Sequence, residues 1–282
     1  MTQQADFQAI KQQHREDWDG AASVWRKYDE SLRRGSEPLT RRLLELAGIK
    51  PGQRVLDIAS GTGEPGLPAA EIAGPSGFVL LTDQSVEMLA VARDKARAQG
   101  LGNVDFRVCD AEQLDLDPES FDAALCRGAL PLMPDPVAVL RVAYAALKPG
   151  GRIGITLGGR LEANTYFTVP FTILRKYTSL PRYTPSVPLY SADPDCVRSI
   201  LSEGGFRELQ FEPVEHVPME FDSGREYWEY MRGFARTAFV LAQIPADQHD
   251  QIGEEIAALA TGGDPNGRVA LTGESVVASG VK

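Results

Sequence analysis

Apolar and polar positions alternate along this chain in two rhythms, short buried runs and longer amphipathic stretches. Val55, Leu56, Ile58 and Ala59 form an apolar run behind Pro51-Gly52, the pattern of a buried strand. Ser60-Gly61-Thr62-Gly63 breaks it, since glycine accepts positive φ and lets a ligand approach the backbone closely. Leu67 to Ile72 then reads as a helix, with Pro65 and Pro68 tolerable only near its start. Gly77 to Leu81 predicts a second strand ending in Asp83, after which Ser85 caps a helix with Met88, Leu89 and Ala92 facing inward. Val104 to Val108 is a third strand, running into Cys109-Asp110-Ala111-Glu112. Phe121 to Cys126 is a fourth, introduced by Asp117-Pro118-Glu119-Ser120. A helix from Val137 to Leu147, stopped by Lys148-Pro149-Gly150-Gly151, leads to a fifth strand at Ile153 to Leu157. Strands alternating with helices at this spacing predict an α/β fold, a parallel sheet with helices on both faces.

The flanks read differently. Residues 5 to 34 are amphipathic, with Trp18, Val24, Trp25, Tyr28 and Leu32 at irregular helical spacing and Gly20 and Gly35 as candidate breaks. This helix either packs its aromatics on the core or covers a ligand. Pro38 to Leu46 is a second helix, with Leu39, Leu43, Leu44 and Leu46 on its inner face. Beyond the fifth strand, residues 160 to 192 are irregular and rich in aromatics and prolines: Tyr166, Phe167, Phe171, Tyr177, Tyr183 and Tyr190.

Strand, glycine turn and helix start together make a nucleotide-type cradle. Gly61, Gly63 and Gly66 satisfy G-x-G-x-x-G, and Asp83 lies at the distance expected of a ribose-binding acid in a dinucleotide site. That pattern alone is weak, and Asp57 argues against it. A carboxylate inside the strand, four residues before the first glycine, would repel a pyrophosphate. It suits a ligand with an ammonium and no phosphate, such as S-adenosylmethionine (SAM); the structural alternative is an acid held by turn amides. Ligands of such sheets bind beyond the carboxyl strand ends, where Asp57, Asp83, Asp110 and Arg127 fall.

Composition narrows the partners. The chain has 282 residues, enough for one large domain with a full core. A net charge of -10 argues against nucleic acid and anionic membrane surfaces as partners. Three widely spaced cysteines indicate neither a disulfide framework nor a zinc site. The polar N-terminus has no signal-like apolar region and no run approaches ~18 apolar residues, so a cytoplasmic protein is expected. His14, His216 and His249 are the histidines. His249 reads as solvated surface; His14 and His216 could approach a covered site, but a structural role is expected of each. No catalytic base and no metal are assigned.

Four blocks occur in one order: Val-Leu-Asp-Ile-Ala-Ser-Gly-Thr-Gly, Thr-Asp-Gln-Ser-Val-Glu-Met-Leu, Asp-Ala-Glu-Gln-Leu with Ser-Phe-Asp, and Leu-Lys-Pro-Gly-Gly-Arg. With them, residues 25 to 158 resemble the class I SAM-dependent methyltransferases, in the branch of the ubiquinone and menaquinone biosynthesis enzymes. The resemblance implies a single domain with a Rossmann-like seven-stranded sheet, the last strand antiparallel. It implies an N-terminal helical lid (1–47) and a SAM-binding core (48–158); the segments 160–192 and 220–265 lie outside that core, and either cap the substrate side or form a satellite apolar cluster without ligand contact. Strand six would lie near Glu208 to Val217, after a helix at Pro194 to Glu203, and strand seven at Glu274 to Gly280. Between them lie about 55 residues, far more than a hairpin needs, with helices around Glu226 to Leu241 and Ala246 to Leu259.

Residue roles follow from the same resemblance. Asp57 and the backbone of Ala59, Ser60 and Gly61 would hold the methionine part, with Gly63 close by. Asp83 would hold the ribose, flanked by Gln84 and Met88 at the adenine. Asp110 and Ala111 would read the adenine edge with Glu112 near, and Trp25 would close over the cofactor. Arg127 matches an arginine common after the fourth strand; the phenylalanine that often follows it is Gly128 here. Tyr28, Tyr166, Phe167, Phe171 and Trp228 are candidate acceptor contacts. The expected activity is in-line methyl transfer to a small, largely hydrophobic or aromatic acceptor by a monomer or homodimer. A non-catalytic SAM-binding protein and an NAD-dependent oxidoreductase are the alternatives, the latter opposed by Asp57.

Overall fold

A computed structural model describes residues 3–179 and 193–282. Tyr183 and Tyr190 lie outside them. The sheet strands are β1 (Arg54–Ile58), β2 (Phe78–Asp83), β3 (Val104–Val108), β4 (Phe121–Arg127), β5 (Leu147–Gly158), β6 (Arg207–His216) and β9 (Gly273–Val281). Their order is β3-β2-β1-β4-β5-β9-β6. The first five pair in parallel, and β9 runs antiparallel between β5 and β6. β6 therefore points the same way as β1 to β5, and its last residues join their carboxyl ends at one edge. The seven strands, with the last antiparallel, are those expected.

Both faces are covered, which is why β1 and β4 read as near-continuous apolar runs. On one face α2 (Asp29–Ala47), α3 (Gly66–Ala73) and α4 (Val86–Ala98) pack Leu43, Leu67 and Leu89 against Val55, Val79, Leu125 and Val277. On the other, α5 (Pro136–Ala146) and α7 (Pro194–Glu203) pack Val139, Leu140, Val197 and Leu201 against Leu56, Ile58, Ile153 and Ile155. Among the described residues, no helix is long and apolar enough to cross a membrane.

The N-terminal helices differ from expectation. α1 (Gln3–Lys27) runs through Gly20, and α2 runs through both Gly35 and Pro38; the break falls at Tyr28. Asp29 and Glu30 open α2, where acids favour the positive end of a helix. Gly35 is no helix breaker but a point of close approach. A Cβ there would meet the Pro218 carbonyl oxygen at 2.2 Å, so only glycine lets α2 cross the chain leaving β6.

The segment between β6 and β9 is more divided than expected. A short antiparallel pair, β7 (Glu220–Phe221) and β8 (Val269–Ala270), joins its two ends. Between them lie α8 (Gly224–Arg232), α9 (Ala235–Leu241) and α10 (His249–Thr261). The helix expected from Glu226 to Leu241 is split at Gly233, where a Cβ would come 2.7 Å from Val24 Cγ2 of α1. With α6 (Thr165–Leu174), these helices form a second apolar core around Tyr166, Phe221, Tyr227, Tyr230, Met231 and Ile256.

Gly20 of α1 and Gly35 of α2 should respond oppositely to one substitution. Gly20 has open space around it, so Gly20→Ala should stabilise the protein by about 0.5–1 kcal/mol, the helix-propensity difference. Gly35→Ala should cost about 1–3 kcal/mol through overpacking against backbone. Denaturant titration of both variants checks the signs; two neutral results would show that α2 does not press on Pro218.

Candidate active site

The turn from β1 into α3 is built on left-handed backbone at Ala59 (φ 54°), Gly61 (52°) and Gly63 (98°). Alanine tolerates this region poorly, so Ala59 is held there by its surroundings. Ser60 N–H donates to the Thr82 carbonyl at 2.9 Å, and Gly63 N–H to the Ser60 carbonyl at 2.9 Å. Gly61 N–H donates to Asp83 Oδ2 at 2.8 Å, and Ser85 N–H to Asp83 Oδ1 at 2.9 Å. Asp83 thus ties the glycine turn to the start of α4. Burial raises its pKa, against the Ser85, Gly61 and Gln84 amides that lower it. Each oxygen keeps a lone pair for a ligand hydroxyl.

Asp57 is fully buried, and neither oxygen has a hydrogen-bond partner among the described residues. Its Oδ2 lies against the first residue of α3, since a Cβ on Gly66 would stand 2.5 Å from it. The third glycine of the motif is therefore demanded by the carboxylate. Burial pushes the Asp57 pKa well above the usual carboxylate range, with the Arg127 charge and the Gly66 amide opposing. Ser60 Oγ and Trp25 Nε1 are also buried without partners. Buried polar atoms are nearly always satisfied, so orphans at Asp57 and Ser60 mark bonds that a ligand completes. A carboxylate beside backbone amides and a hydroxyl fits the ammonium and carboxylate of an amino-acid moiety. The residues present fit SAM.

Asp110 and Glu112 follow β3, and α1 reaches over to them. Lys11 Nζ lies 2.7 Å from Asp110 Oδ2 and 2.6 Å from Glu112 Oε2. Burial alone would lower the Lys11 pKa; the two carboxylates raise it further than that. Asp110 Oδ1 accepts the Glu112 N–H at 3.0 Å, fixing the turn that Ala111 opens. Farther along, Ser85 Oγ donates to Asp19 Oδ1 at 2.5 Å, Arg26 pairs with Asp94 at 2.9 Å, and Lys95 with Asp29 at 2.7 Å. Met88 and Val91 of α4 are buried against Ala21 and Ala22 of α1, with Trp18 and Trp25 packed on the same cluster. Lys11 and Asp19 had no local signal, because their partners are 99, 101 and 66 residues away.

Arg127 ends β4 and turns toward α2, donating from Nη1 to Ser36 Oγ and Thr40 Oγ1, both at 3.0 Å. Its charge still acts on Asp57, on Glu64 beside the glycine turn, and on His216. Gly128 takes φ 69° and donates its N–H to the Thr156 carbonyl at 3.2 Å.

The candidate acceptor residues fall into one apolar cluster. Tyr28, Tyr166 and Trp228 are buried in it, with Phe167 and Phe171 packed on its side. Trp228 sits between α8 and α10, where a Cβ on Gly253 would strike its Nε1 at 2.4 Å, so it is a packing residue of the inserted helices. Tyr28 stacks edge-on against Tyr230 at 5.1 Å between ring centroids. A chain of rings links this cluster to α1: Tyr166 to Phe167 at 4.9 Å, Phe167 to Phe234 at 5.6 Å, Phe234 to Trp18 at 6.2 Å, and Trp18 to Trp25 at 5.9 Å. Phe234 was not singled out from the sequence, whereas Trp18 was read there as one of the aromatics of the first helix. Phe234 follows Gly233 at the helix break, a position that only tertiary packing reveals.

Comparison with known proteins agrees with this geometry. Residues 49–178 match a family model described as a methyltransferase domain. The ubiquinone/menaquinone biosynthesis C-methyltransferase UbiE of Ectopseudomonas mendocina is 33% identical over 205 residues, covering 67% of this chain and 80% of the relative. UbiE of Vibrio cholerae is 32% identical over 205 residues, covering 67% and 79%. Among solved structures, the [4+2]-cyclase SpnF shares the fold at TM-score 0.61 and 23% identity, over 96% of this chain and 95% of that one. A methyltransferase-like protein of Bacillus halodurans does so at TM-score 0.55 and 21% identity, over 86% and 98%. Strand order, glycine turn and relatives converge: the chain belongs to the class I SAM-dependent methyltransferases, in the ubiquinone/menaquinone biosynthesis branch.

Proposed function

We propose that this methyltransferase acts on a small, largely hydrophobic aromatic acceptor bound between α1 and the inserted helices. The carrying observation is the continuous chain of rings from Trp25 to Tyr166. Flat aromatic faces favour offset or edge contacts with another ring, which a quinone-like or phenolic acceptor offers. The similar proteins are C-methyltransferases of ubiquinone and menaquinone biosynthesis, which supports that class. Three free cysteines and an acidic chain suit a cytoplasmic setting.

SAM supplies an electrophilic methyl group on a sulfonium. The work left to the chain is placement, worth several kcal/mol when reacting atoms are held close. Asp57 and the turn at Ala59, Ser60, Gly61 and Gly63 hold the amino-acid end, Asp83 the sugar, and Gln84, Met88, Asp110, Ala111 and Glu112 the base. Trp25 and the rest of α1 cover it. Arg127 balances the buried acids. Residues 1–47 act as a lid, and 160–192 with 220–265 as caps on the acceptor side.

Turnover with methyl-labelled SAM on a panel of phenols and hydroquinones, read by product mass, tests this reading. Methylation of protein or nucleic acid alone would overturn it. Phe234→Ala should raise the acceptor KM roughly 2- to 12-fold, the equivalent of an aromatic pair, with SAM affinity unchanged. Equal losses for both ligands would place Phe234 in the fold and not at the acceptor.

Asp57→Asn separates binding from stability. SAM affinity should fall tenfold or more, since a charge-assisted contact is worth about 1.5–3 kcal/mol. The ligand-free protein should melt higher at neutral pH. The raised pKa of Asp57 means folding opposes its ionisation, so the wild type carries a cost that vanishes as pH falls toward the ordinary value of 3.8. The stability gain of Asp57→Asn should shrink over the same descent, followed by thermal melts from neutral pH to about 4.

A further inference from the structure

His216 is the last residue of β6, and no role described so far uses it. Its place in the sheet is set by alternation. Val55, Leu125, Val214 and Val277 all face α2 and α3. Two residues along each strand, Asp57, Arg127, His216 and Ser275 face the same way, because strand side chains repeat every second residue. All four lie at the edge where β1, β4 and β6 end and β9 begins. His216 thus shares both the face and the edge of the cofactor cradle.

The ring is fixed. Nε2 lies 3.1 Å from Ser275 Oγ, and a Cβ on Gly273 would meet the ring at 2.9 Å, so the imidazole rests on bare glycine backbone. Nδ1 is buried and has no hydrogen-bond partner among the described residues. An Nε2–H donating to Ser275 Oγ leaves the Nδ1 lone pair as an acceptor. The charged group facing it is Arg127 of β4, which α2 holds through Ser36 and Thr40; Glu64 and Asp57 lie within reach of the same charge. Burial first, and Arg127 second, lower the His216 pKa to about 4. The imidazole is therefore neutral at physiological pH, the state that can take up a proton.

We propose that His216 Nδ1 accepts the proton that the methyl acceptor loses, with Ser275 holding the ring in the required tautomer. The step rests on the methyl-transfer reading above and balances simply. The new bond joins the methyl carbon to the acceptor atom, and the sulfonium C–S bond breaks with its electron pair kept on sulfur. The acceptor's O–H, N–H or C–H proton moves to Nδ1, giving imidazolium. A cation disappears at sulfur as one appears on the ring, so the site's net charge is unchanged. Release of the proton to solvent restores neutral His216 for the next turnover.

The test uses the full-length enzyme with SAM and two sets of phenols and hydroquinones. One set is un-ionised at the assay pH; the other is ring-halogenated and already ionised. His216→Gln should lose about 10²- to 10⁴-fold in kcat on the un-ionised set, the usual worth of a positioned base. It should lose little on the ionised set, and keep its melting temperature and SAM affinity. Ser275→Ala, a milder change, should show the same pattern with a smaller loss, about tenfold, should His216→Gln fold poorly. Equal turnover by His216→Gln on un-ionised acceptors would overturn the proposal. So would an equal loss on both sets, which would mean packing and not proton uptake. If the wild type methylates neither set, the aromatic-acceptor reading fails first and takes this one with it.

Discussion

A carboxylate with no partner, buried in an inner strand, sets the terms for everything around it. Asp57 cannot be solvated, so its neighbours must limit the cost. Gly66 withholds a side chain and brings the first amide of α3 against it. Arg127 lends positive charge from the next strand. Arg127 must in turn be held, and the hydroxyls of Ser36 and Thr40 do so only because α2 lies across this end of the sheet. That crossing depends on Gly35 passing the Pro218 carbonyl without a Cβ. One buried acid thus reaches, through four contacts, into the placement of the N-terminal helices.

Much of this was legible in the sequence where local chemistry decides. Pro194–Glu203 is a helix at the expected bounds, because Asp193 caps it, Pro194 opens it and Gly204 follows it. The strands were legible because burial on both faces leaves continuous apolar runs. Glycines were harder. A glycine that bends the chain and a glycine that makes room look alike in one dimension; Gly35 and Gly233 make room for another segment, and only tertiary contact distinguishes them. Asp83 and Asp110 could be placed at strand ends, but not their partners, since the Gly61 amide and Lys11 reach them from 22 and 99 residues away. Trp228 is a further case: its type suggested a ligand contact, and its packing against Gly253 of α10 could not be read from the sequence.

α1 touches two parts of the molecule. Its Lys11 and Asp19 meet the loops after β3 and β2, while Trp18 continues the ring chain into the inserted helices. Its contacts with the loops after β2 and β3 are largely polar and ionic, and those with the helices between β6 and β9 apolar. Salt screens the exposed pair of Arg26 and Asp94 more than the part-buried Lys11 cluster. The helix is therefore held by two kinds of contact, by ion pairs near residue 11 and by apolar packing of Ala21, Ala22, Val24 and Trp25 toward its end.

The short pairing of β7 with β8 has an evolutionary meaning. It brings the two ends of residues 222–268 side by side, so that whole block leaves and rejoins the domain at a single neck. Loop-closure entropy grows only slowly with length, so helices beyond such a neck can be lengthened, shortened or exchanged with little burden on the sheet. The glycine turn, Asp57 and Asp83 lie on strands that this neck does not interrupt. The block between β7 and β8 can therefore change in length or sequence while β1 and β2, which carry Asp57 and Asp83, keep their register.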